Sequence, residues 1–512
     1  MNRIDPVPPP QRQRRPVTLA DVRAALPDGG RLHGAAPDAA AAVALSDVSH
    51  DSRDAGPGVL FAARPGTHAD GHAFAPAAVS AGCPALLVER PLDLDVPQLV
   101  TRSVARGLGP AAAAVHGHPA RDMLLLGVTG TSGKTTTTYL LDAILRAAAH
   151  VTGLIGTVQT RIGDEVVPGA RTTPESTDLQ RLLRRMVTSR VTAAAMEVSS
   201  HGLALGRVAG TRFRVAGFTN LSQDHLDFHA DLDDYFAAKA ALFTPAYAEV
   251  GVVVVDDAWG LRLAERSEIP VITVSAAGAA ADVTARDIVS TPTGSSFVAR
   301  LRGGDVTATT QLPGAFNVAN TLLALAMADC AGVPADRAAA GVAELAGVPG
   351  RMQRVEAGQP FTVLVDYAHK PDALAQVLTT ARGLTIRRVI VVVGCGGDRD
   401  TGKRALMGET AAGLADLAVL TSDNPRTEDP DAILAEVEAG ARRVHGGAFQ
   451  VEPDRRAAIS AALRSAGPAD VVVIAGKGHE TYQELADRTV AFDDRAVARE
   501  LLAHAERSGQ TT

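Results

Sequence analysis

The run Leu124-Leu125-Leu126-Gly127-Val128-Thr129-Gly130-Thr131-Ser132-Gly133-Lys134-Thr135-Thr136 constrains this chain more than any other stretch. A short apolar segment ends in a glycine-rich turn, a Lys-Thr pair follows, and a helical pattern runs from Thr137 to Ala147. That order is what a triphosphate site needs. Glycines let backbone amides converge on phosphate oxygens, and the helix N-terminus adds positive potential. Lys134 can reach the outer phosphates, and the Thr135 hydroxyl can bind Mg²⁺. The candidate nucleotide loop is therefore Gly130, Thr131, Ser132, Gly133, Lys134, Thr135 and Thr136. The usual phosphate-loop pattern wants a glycine where Val128 stands; here glycines fall at 127, 130 and 133, so the loop is a variant.

A chain of 512 residues should hold about three domains. Its hydrophobic share of 46% and charged share of 21% are those of a globular protein. The net charge of −7 is spread along the chain without a basic block, which argues against a nucleic-acid partner. Cys83, Cys330 and Cys395 lie far apart without metal-ligand spacing and read as reduced thiols in a cytoplasmic protein. No apolar run approaches the roughly 18 residues that span a bilayer, so no membrane association is expected. Residues 1–16, rich in Pro, Arg and Gln, read as a flexible tail without a signal-peptide core.

Residues 17–120 form a first unit with short apolar strands such as 59–62 and 85–88; its sheet order is not readable. Asp51-Ser52-Arg53 reads locally as a turn whose side chains bond nearby backbone. Residues 121–345 alternate strands (123–128, 192–197, 214–218, 251–255) with helices (after the loop, 178–190, 232–245, 317–330), the pattern of a mostly parallel sheet covered on both faces. Residues 346–512 repeat it with strands 362–366, 389–393, 417–421 and 471–475 and helices near 371–381, 403–415, 430–444 and 455–466, a second doubly wound sheet. In both units polar clusters sit where strands end, the place such sheets bind ligands. Glu197 and His225 stand at two of these ends and can supply ligands to a phosphate-bound Mg²⁺.

The motifs together resemble the Mur ligase family, the ATP-dependent amide-forming ligases of peptidoglycan precursor synthesis. Its phosphate loop, G-T-x-G-K-T/S, is matched by Gly130 to Thr135, which accounts for the variant spacing. The resemblance runs from about Asp47 to Arg495. It rests on D-S-R at 51–53, T-T-P-E at 172–175, M-E-V-S-S-H at 196–201, T-N-L-x-x-D-H-L-D at 219–227, D-Y-A-H at 366–369, G-C-G-G-D-R-D at 394–400, D-N-P-R at 423–426 and G-K-G-H-E at 476–480. It implies an α/β fold of three domains, with a central P-loop-type ATPase sheet and a C-terminal Rossmann-like sheet. It also implies a cytoplasmic, monomeric ligase that uses ATP and Mg²⁺ to join diaminopimelate to UDP-N-acetylmuramoyl-L-Ala-D-Glu.

The resemblance assigns roles position by position. Ser52, Thr67, His68 and Ala69 resemble the segments that hold the uridine diphosphate. Thr172, Thr173, Ser199 and Arg207 resemble contacts to the muramoyl-dipeptide. Lys239 matches a lysine that the family carbamylates and uses, with Thr135, Glu197 and His225, to place Mg²⁺. Asn317, Asn320 and Asp366 match positions near adenine and ribose. Arg399, Asp423, Asn424, Pro425, Arg426, Gly476 and Glu480 match the pocket for the incoming amino acid. Three residues depart from the family's common pattern: Ser132 for asparagine, Leu205 where some members have glutamine, and Lys370 where a small polar residue is usual. A folylpolyglutamate synthetase is the rival within the superfamily, and the D-S-R and D-N-P-R stretches argue against it. A nucleotide-driven switch is the rival outside it, but the guanine-reading N-K-x-D stretch is absent from the sequence.

Overall fold

The computed structural model describes residues 16–509 apart from 35, 37, 40, 41, 67, 68, 170, 226, 227 and 292. Three sheets follow one another along the chain, each built around parallel strands. The first orders Arg31–His33, Gln98–Val100, Ala85–Val88, Val59–Ala62 and Asp47–Ser49, all parallel except the Arg31–His33 edge. Its four-residue strands are apolar throughout because helices cover both faces: Leu19–Ala25 and Val104–Val115 on one, Ala75–Ser80 on the other. Asp51 accepts the amide of Arg53 and caps a single 3₁₀ turn, Ser52–Asp54, the local turn expected there.

The second sheet has eleven strands. Its parallel core places Leu124–Thr129 between Ala193–Glu197 and Phe213–Phe218, with Thr152–Ile155 beyond the first and Ala248–Val254 and Val271–Ser275 beyond the second. From Leu124–Thr129 the chain winds first to one side and later to the other, so this strand borders the topological switch point where ligands bind. Helices Lys134–Ala147, Ala315–Cys330 and Ala335–Glu344 pack on one face, and Ser176–Thr188 and Leu232–Ala240 on the other. Antiparallel ribbons extend both edges: Gln159–Ile162 with Glu165–Pro168, and Val283–Thr291, Gly294–Leu301 and Gly304–Thr310. The sequence reading missed both, because their outer strands are largely exposed and carry no buried apolar run.

The third sheet orders Gln353–Arg354, Thr362–Asp366, Val471–Ala475, Val389–Cys395, Leu417–Ser422 and Phe449–Val451, parallel but for the first. Helices Pro371–Gly383, Lys403–Leu414 and Pro430–Ala441 cover one face, and Arg455–Ser465 with Asp494–Gly509 the other. The expected strands and helices of both α/β units are present, with ends shifted by a few residues. The largest shift is the expected helix 232–245, which ends at Ala240 and closes in a 3₁₀ turn, Ala241–Phe243.

Behind the third sheet Arg455 and Asp494 form a completely buried ion pair. Arg455 Nε donates to Asp494 Oδ1 at 2.8 Å and Nη2 to Oδ2 at 2.7 Å, and Nη2 also meets the Ala475 carbonyl at 2.9 Å. Removing one partner of such a pair costs about 3–5 kcal/mol, because an uncompensated charge stays buried. Asp494→Ala should therefore speed hydrogen exchange of the Val471–Ala475 amides by about a hundredfold or more. Unchanged exchange would show that the pair does not hold the sheet.

Candidate active site

The turn after Leu124–Thr129 is shaped by what presses on it. Gly130 has φ +143°, and a Cβ there would lie 1.8 Å from Thr219 Oγ1. Gly133 has φ +86°, and a Cβ would lie 2.4 Å from Asn320 Oδ1. Neither position tolerates a side chain. The loop is clasped by the end of Phe213–Phe218: Thr219 Oγ1 donates to the Ser132 carbonyl at 2.6 Å, and Asn220 Oδ1 accepts the Ser132 amide at 3.1 Å. Lys134, the first residue of its helix, curls back and donates to the carbonyls of Gly130 and Thr131, both at 2.9 Å. Burial lowers its proton affinity to about 8; the carboxylates of Glu197 and Asp224 oppose that, while Lys370 and Arg351 add to it.

Thr135, one helical position on, donates to Glu197 Oε2 at 3.0 Å. Glu197 ends strand Ala193–Glu197, is 1% exposed, and also accepts the amide of Thr157 at 2.8 Å and its hydroxyl at 3.2 Å. Further hydroxyls lie outward: Thr157 and Thr172 share a hydrogen bond at 2.9 Å, and Ser199 Oγ donates to Thr173 Oγ1 at 3.1 Å, which in turn donates to the Glu197 carbonyl at 3.0 Å. Thr172, Thr173 and Ser199 are thus brought beside Glu197. Arg207 joins them: its guanidinium lies 2.9 Å from Glu175, and burial lowers its proton affinity.

Lys239 is 1% exposed and donates to the Gly130 carbonyl at 2.8 Å, with its ammonium 4.4 Å from the centre of the Tyr235 ring. Desolvation first, and the charge of Lys134 next, push its pKa well below that of a free lysine. A neutral amine at this depth is the form that can take up CO₂, so the site fits a carbamate. His225 has φ +53°, and its Nε2 lies 3.2 Å from Asp224 Oδ2. Desolvation outweighs that carboxylate and lowers His225 to about 4, which keeps the imidazole neutral and able to ligate a metal. Among the described residues no three His, Cys, Asp or Glu side chains group to hold a metal unaided. Thr135, Glu197 and His225 line one cavity, and their oxygen and nitrogen atoms are of the kind that could hold Mg²⁺ beside phosphate and water oxygens.

That cavity, of about 280 Å³, opens between the second and third sheets. The loop, Glu197, His225, Asn317 and Asn320 line it from one side, and Arg351, Asp366, Tyr367, His369 and Lys370 from the other. Arg351 crosses the gap and donates to Thr135 Oγ1 at 3.2 Å, and Lys370 forms an ion pair with Asp224. Asp366 accepts the amides of Met352 at 2.7 Å and Ala368 at 2.8 Å, and burial raises its pKa. Asn320 donates to Asn317 at 3.2 Å, and Asn317 to the Pro313 carbonyl at 2.8 Å. These bonds fix the shape of the cavity wall, a role that the sequence motif alone does not convey.

At the far ends of the third sheet's strands, Asp423, Asn424, Gly476 and Glu480 come together around Lys477, which is fully buried. Lys477 donates to Asn424 Oδ1 at 2.9 Å and Glu480 Oε2 at 3.0 Å, and Asn424 Nδ2 donates to Glu480 at 2.9 Å. Gly476 packs so closely that a Cβ would lie 2.6 Å from Asp423 Oδ2. Arg426, after Pro425, has φ +53°; its Nε donates to Glu484 at 2.8 Å and Nη1 to the Gly397 carbonyl at 2.7 Å. Arg399 is exposed, and both arginines act on the carboxylate of Asp398. In the first sheet's unit Ser52 is half-buried and Ala69 exposed, both outside this cavity; Thr67 and His68 lie outside the described residues.

The sequence reading did not single out Thr157, Arg351, Asp224, Lys477 or Glu484. Thr157 and Arg351 act through contacts 40 and 216 residues away in sequence, which local patterning does not reveal. Asp224 and Lys477 lie inside quoted motifs, so their residue type was a usable signal.

Comparison with known proteins covers nearly the whole chain. The family descriptions "Mur ligase family, catalytic domain", "Mur ligase middle domain" and "Mur ligase, glutamate ligase domain" match residues 45–120, 128–328 and 350–478. The UDP-N-acetylmuramoyl-L-alanyl-D-glutamate--2,6-diaminopimelate ligase of Streptomyces coelicolor is 49% identical over 499 residues, 95% of this chain and 98% of its own. The ligase of the same name from Streptomyces avermitilis is 48% identical over 92% of this chain and 95% of its own. A solved structure of a ligase of that name superposes with a TM-score of 0.71 at 32% identity, over 96% of this chain and 100% of its own. With half of its residues shared with such relatives end to end, the chain belongs to the Mur ligase family.

Proposed function

We propose that this chain is the ATP-dependent ligase that joins diaminopimelate to the D-glutamate γ-carboxylate of UDP-N-acetylmuramoyl-L-alanyl-D-glutamate, in peptidoglycan precursor synthesis. The observation that carries the reading is the single cavity in which the phosphate loop, Glu197 and the strand ends of the third sheet face one another, bridged by Arg351 on Thr135. In this reading the first sheet's unit holds the uridine diphosphate, the second ATP, and the third the amino acid. Among the described residues no helix is long and apolar enough to cross a membrane, and Cys83, Cys330 and Cys395 are free thiols. We assign the reaction to the cytoplasm, where ATP is present, and to a monomer, since one chain carries the loop, the hydroxyls beside Glu197 and the Lys477 cluster.

The chemistry follows from a difficulty. A carboxylate is a poor electrophile and must be activated before an amine attacks it. Its oxygen attacks the γ-phosphorus in line, the bond to the β-phosphate oxygen breaks, and ADP leaves with that electron pair. The product is an acyl phosphate. Two anions must approach, and Lys134, the loop amides and Arg351 offset their repulsion. Thr135, Glu197, His225 and carbamylated Lys239 would hold Mg²⁺, which would supply further charge neutralisation. The amine then attacks the acyl carbon, and phosphate leaves from the tetrahedral intermediate. The cleft between two sheets keeps water from the acyl phosphate, and closure brings the amino acid to it.

The direct test is ADP release with the UDP-muramoyl-dipeptide present and meso-diaminopimelate, LL-diaminopimelate or L-lysine supplied in turn. The reading expects turnover only with the complete mixture and a preference for a diaminopimelate isomer; a preference for lysine refutes it.

Lys134→Ala should lower turnover about a thousandfold or more with the fold intact, since charge stabilisation in phosphoryl transfer is worth several kcal/mol. Near-normal turnover would remove the loop from the mechanism. Lys239→Ala should be inactive and partly rescued by short carboxylic acids, and intact-protein mass of the active enzyme should show the added carboxylate. An unmodified amine in fully active enzyme contradicts the carbamate. Arg426→Ala should raise KM for diaminopimelate by thirty- to a thousandfold, the equivalent of about 2–4 kcal/mol for a lost charge-assisted contact. Glu484 and the Gly397 carbonyl fix the position of that guanidinium. Activity with L-lysine, which has no distal carboxylate, should change much less; equal loss for both would assign Arg426 a purely structural part.

A further inference from the structure

Lys370 is a departure from the family's common pattern that the proposed reaction has not used. It stands just after strand Thr362–Asp366 and is the N-cap residue of helix Pro371–Gly383, with extended backbone (φ −133°, ψ 150°) and no side-chain capping bond. Its ammonium instead reaches across the cavity to the carboxylate of Asp224, on the loop that follows Phe213–Phe218. The side chain of Asp224 is only 8% exposed and is held in place by its own neighbour: Oδ1 accepts the His225 amide at 2.6 Å, and Oδ2 lies 3.2 Å from His225 Nε2. Lys370, at 26% exposure, is thus tethered to a fixed post on the nucleotide-binding side while belonging to the opposite sheet.

We propose that Lys370 is a catalytic residue that contacts phosphate: the third sheet carries its ammonium to the phosphoryl group in transfer, and Asp224 holds it at the cavity. The proposal rests on the ligase reading above. Lys134, Arg351 and Lys370 all line the cavity, the first from one sheet and the other two from the opposite one. Carboxylates of Glu197, Asp224, Asp366 and Asp372 line it too, but Glu197 is held by Thr135 and Thr157 and Asp366 by backbone amides. An ammonium has three donors, so Lys370 can keep Asp224 and still meet a phosphate oxygen. A tether alone could join the sheets anywhere along their boundary. This one ends beside the loop that cradles phosphate. In the step served, the γ-carboxylate oxygen bonds to the γ-phosphorus, the bond to the β-phosphate oxygen breaks, and its electron pair leaves on ADP. The charge on the transferring oxygens is then met by Lys134 from one side and Lys370 from the other.

The test is positional isotope exchange in ATP labelled at the β,γ-bridging oxygen, with UDP-muramoyl-dipeptide present and no amino acid. The exchange reports reversible acyl phosphate formation without the ligation step. It is measured for wild type, Lys370→Met, Lys370→Gln and Lys370→Arg, each below its thermal midpoint. We expect exchange and kcat to fall together by about a hundredfold in the Met and Gln variants, with Arg recovering at least tenfold of the loss. Exchange within tenfold of wild type in either neutral variant overturns the proposal, as does a loss of ligation with exchange intact, which would make Lys370 a structural tether. No exchange in the wild type would instead refute the ligase reading itself.

Discussion

The site depends on a backbone packed too tightly for side chains. Gly130 lies against Thr219 and Gly133 against Asn320, each closer than any Cβ allows. Because the loop is squeezed from both sides, its position fixes the neighbours that squeeze it. The Thr219–Asn220 clasp leads on to Asp224 and His225, and the helix bearing Asn320 also bears Asn317. Lys134 and Thr135 open the helix that follows, and Thr135 is where Glu197 from one sheet and Arg351 from the approach to the next both arrive. A methyl group at Gly130 would therefore disturb more than a turn.

Electrostatics explains why the cavity carries cations from two sheets. The reaction brings a carboxylate against a triphosphate, and the cost of that approach falls only if positive charge is already in place when the cleft closes. Lys134 and Lys239 are both buried enough to lose proton affinity, but with different consequences. Lys134, lowered to about 8, is still largely protonated near neutral pH and serves as a cation. Lys239 is pushed further, toward the neutral amine that carbamylation needs. Two lysines within reach of the same Gly130 carbonyl thus differ in how far their surroundings lower their pKa.

Much of this was legible in the sequence where chemistry was local. The loop, the central parallel strands and the polar clusters at their carboxyl ends could be read because apolar runs and glycine turns announce themselves over a few residues, whereas the short parallel strands Thr152–Ile155, Val271–Ser275 and Phe449–Val451 were missed. The antiparallel edge ribbons could not, since their largely exposed strands have no apolar run. Nor could the cross-sheet contacts. That Lys370 meets Asp224, 146 residues earlier, follows only from how two separately wound sheets face each other. The cluster around Lys477 shows the intermediate case: Asp423, Asn424, Gly476 and Glu480 were picked out by motif, but the buried ammonium that orients Asn424 and Glu480 was passed over.

The central claim is that the cavity activates a carboxylate by transferring the γ-phosphate of ATP to it. The most direct measurement uses UDP-muramoyl-dipeptide carrying ¹⁸O in the D-glutamate γ-carboxylate, with ATP and diaminopimelate, and follows the label in the products by mass spectrometry. The account predicts that one labelled oxygen per turnover appears in inorganic phosphate, because phosphate departs with the oxygen through which it was attached. Label found in AMP, or absent from phosphate while ligation proceeds, would contradict it.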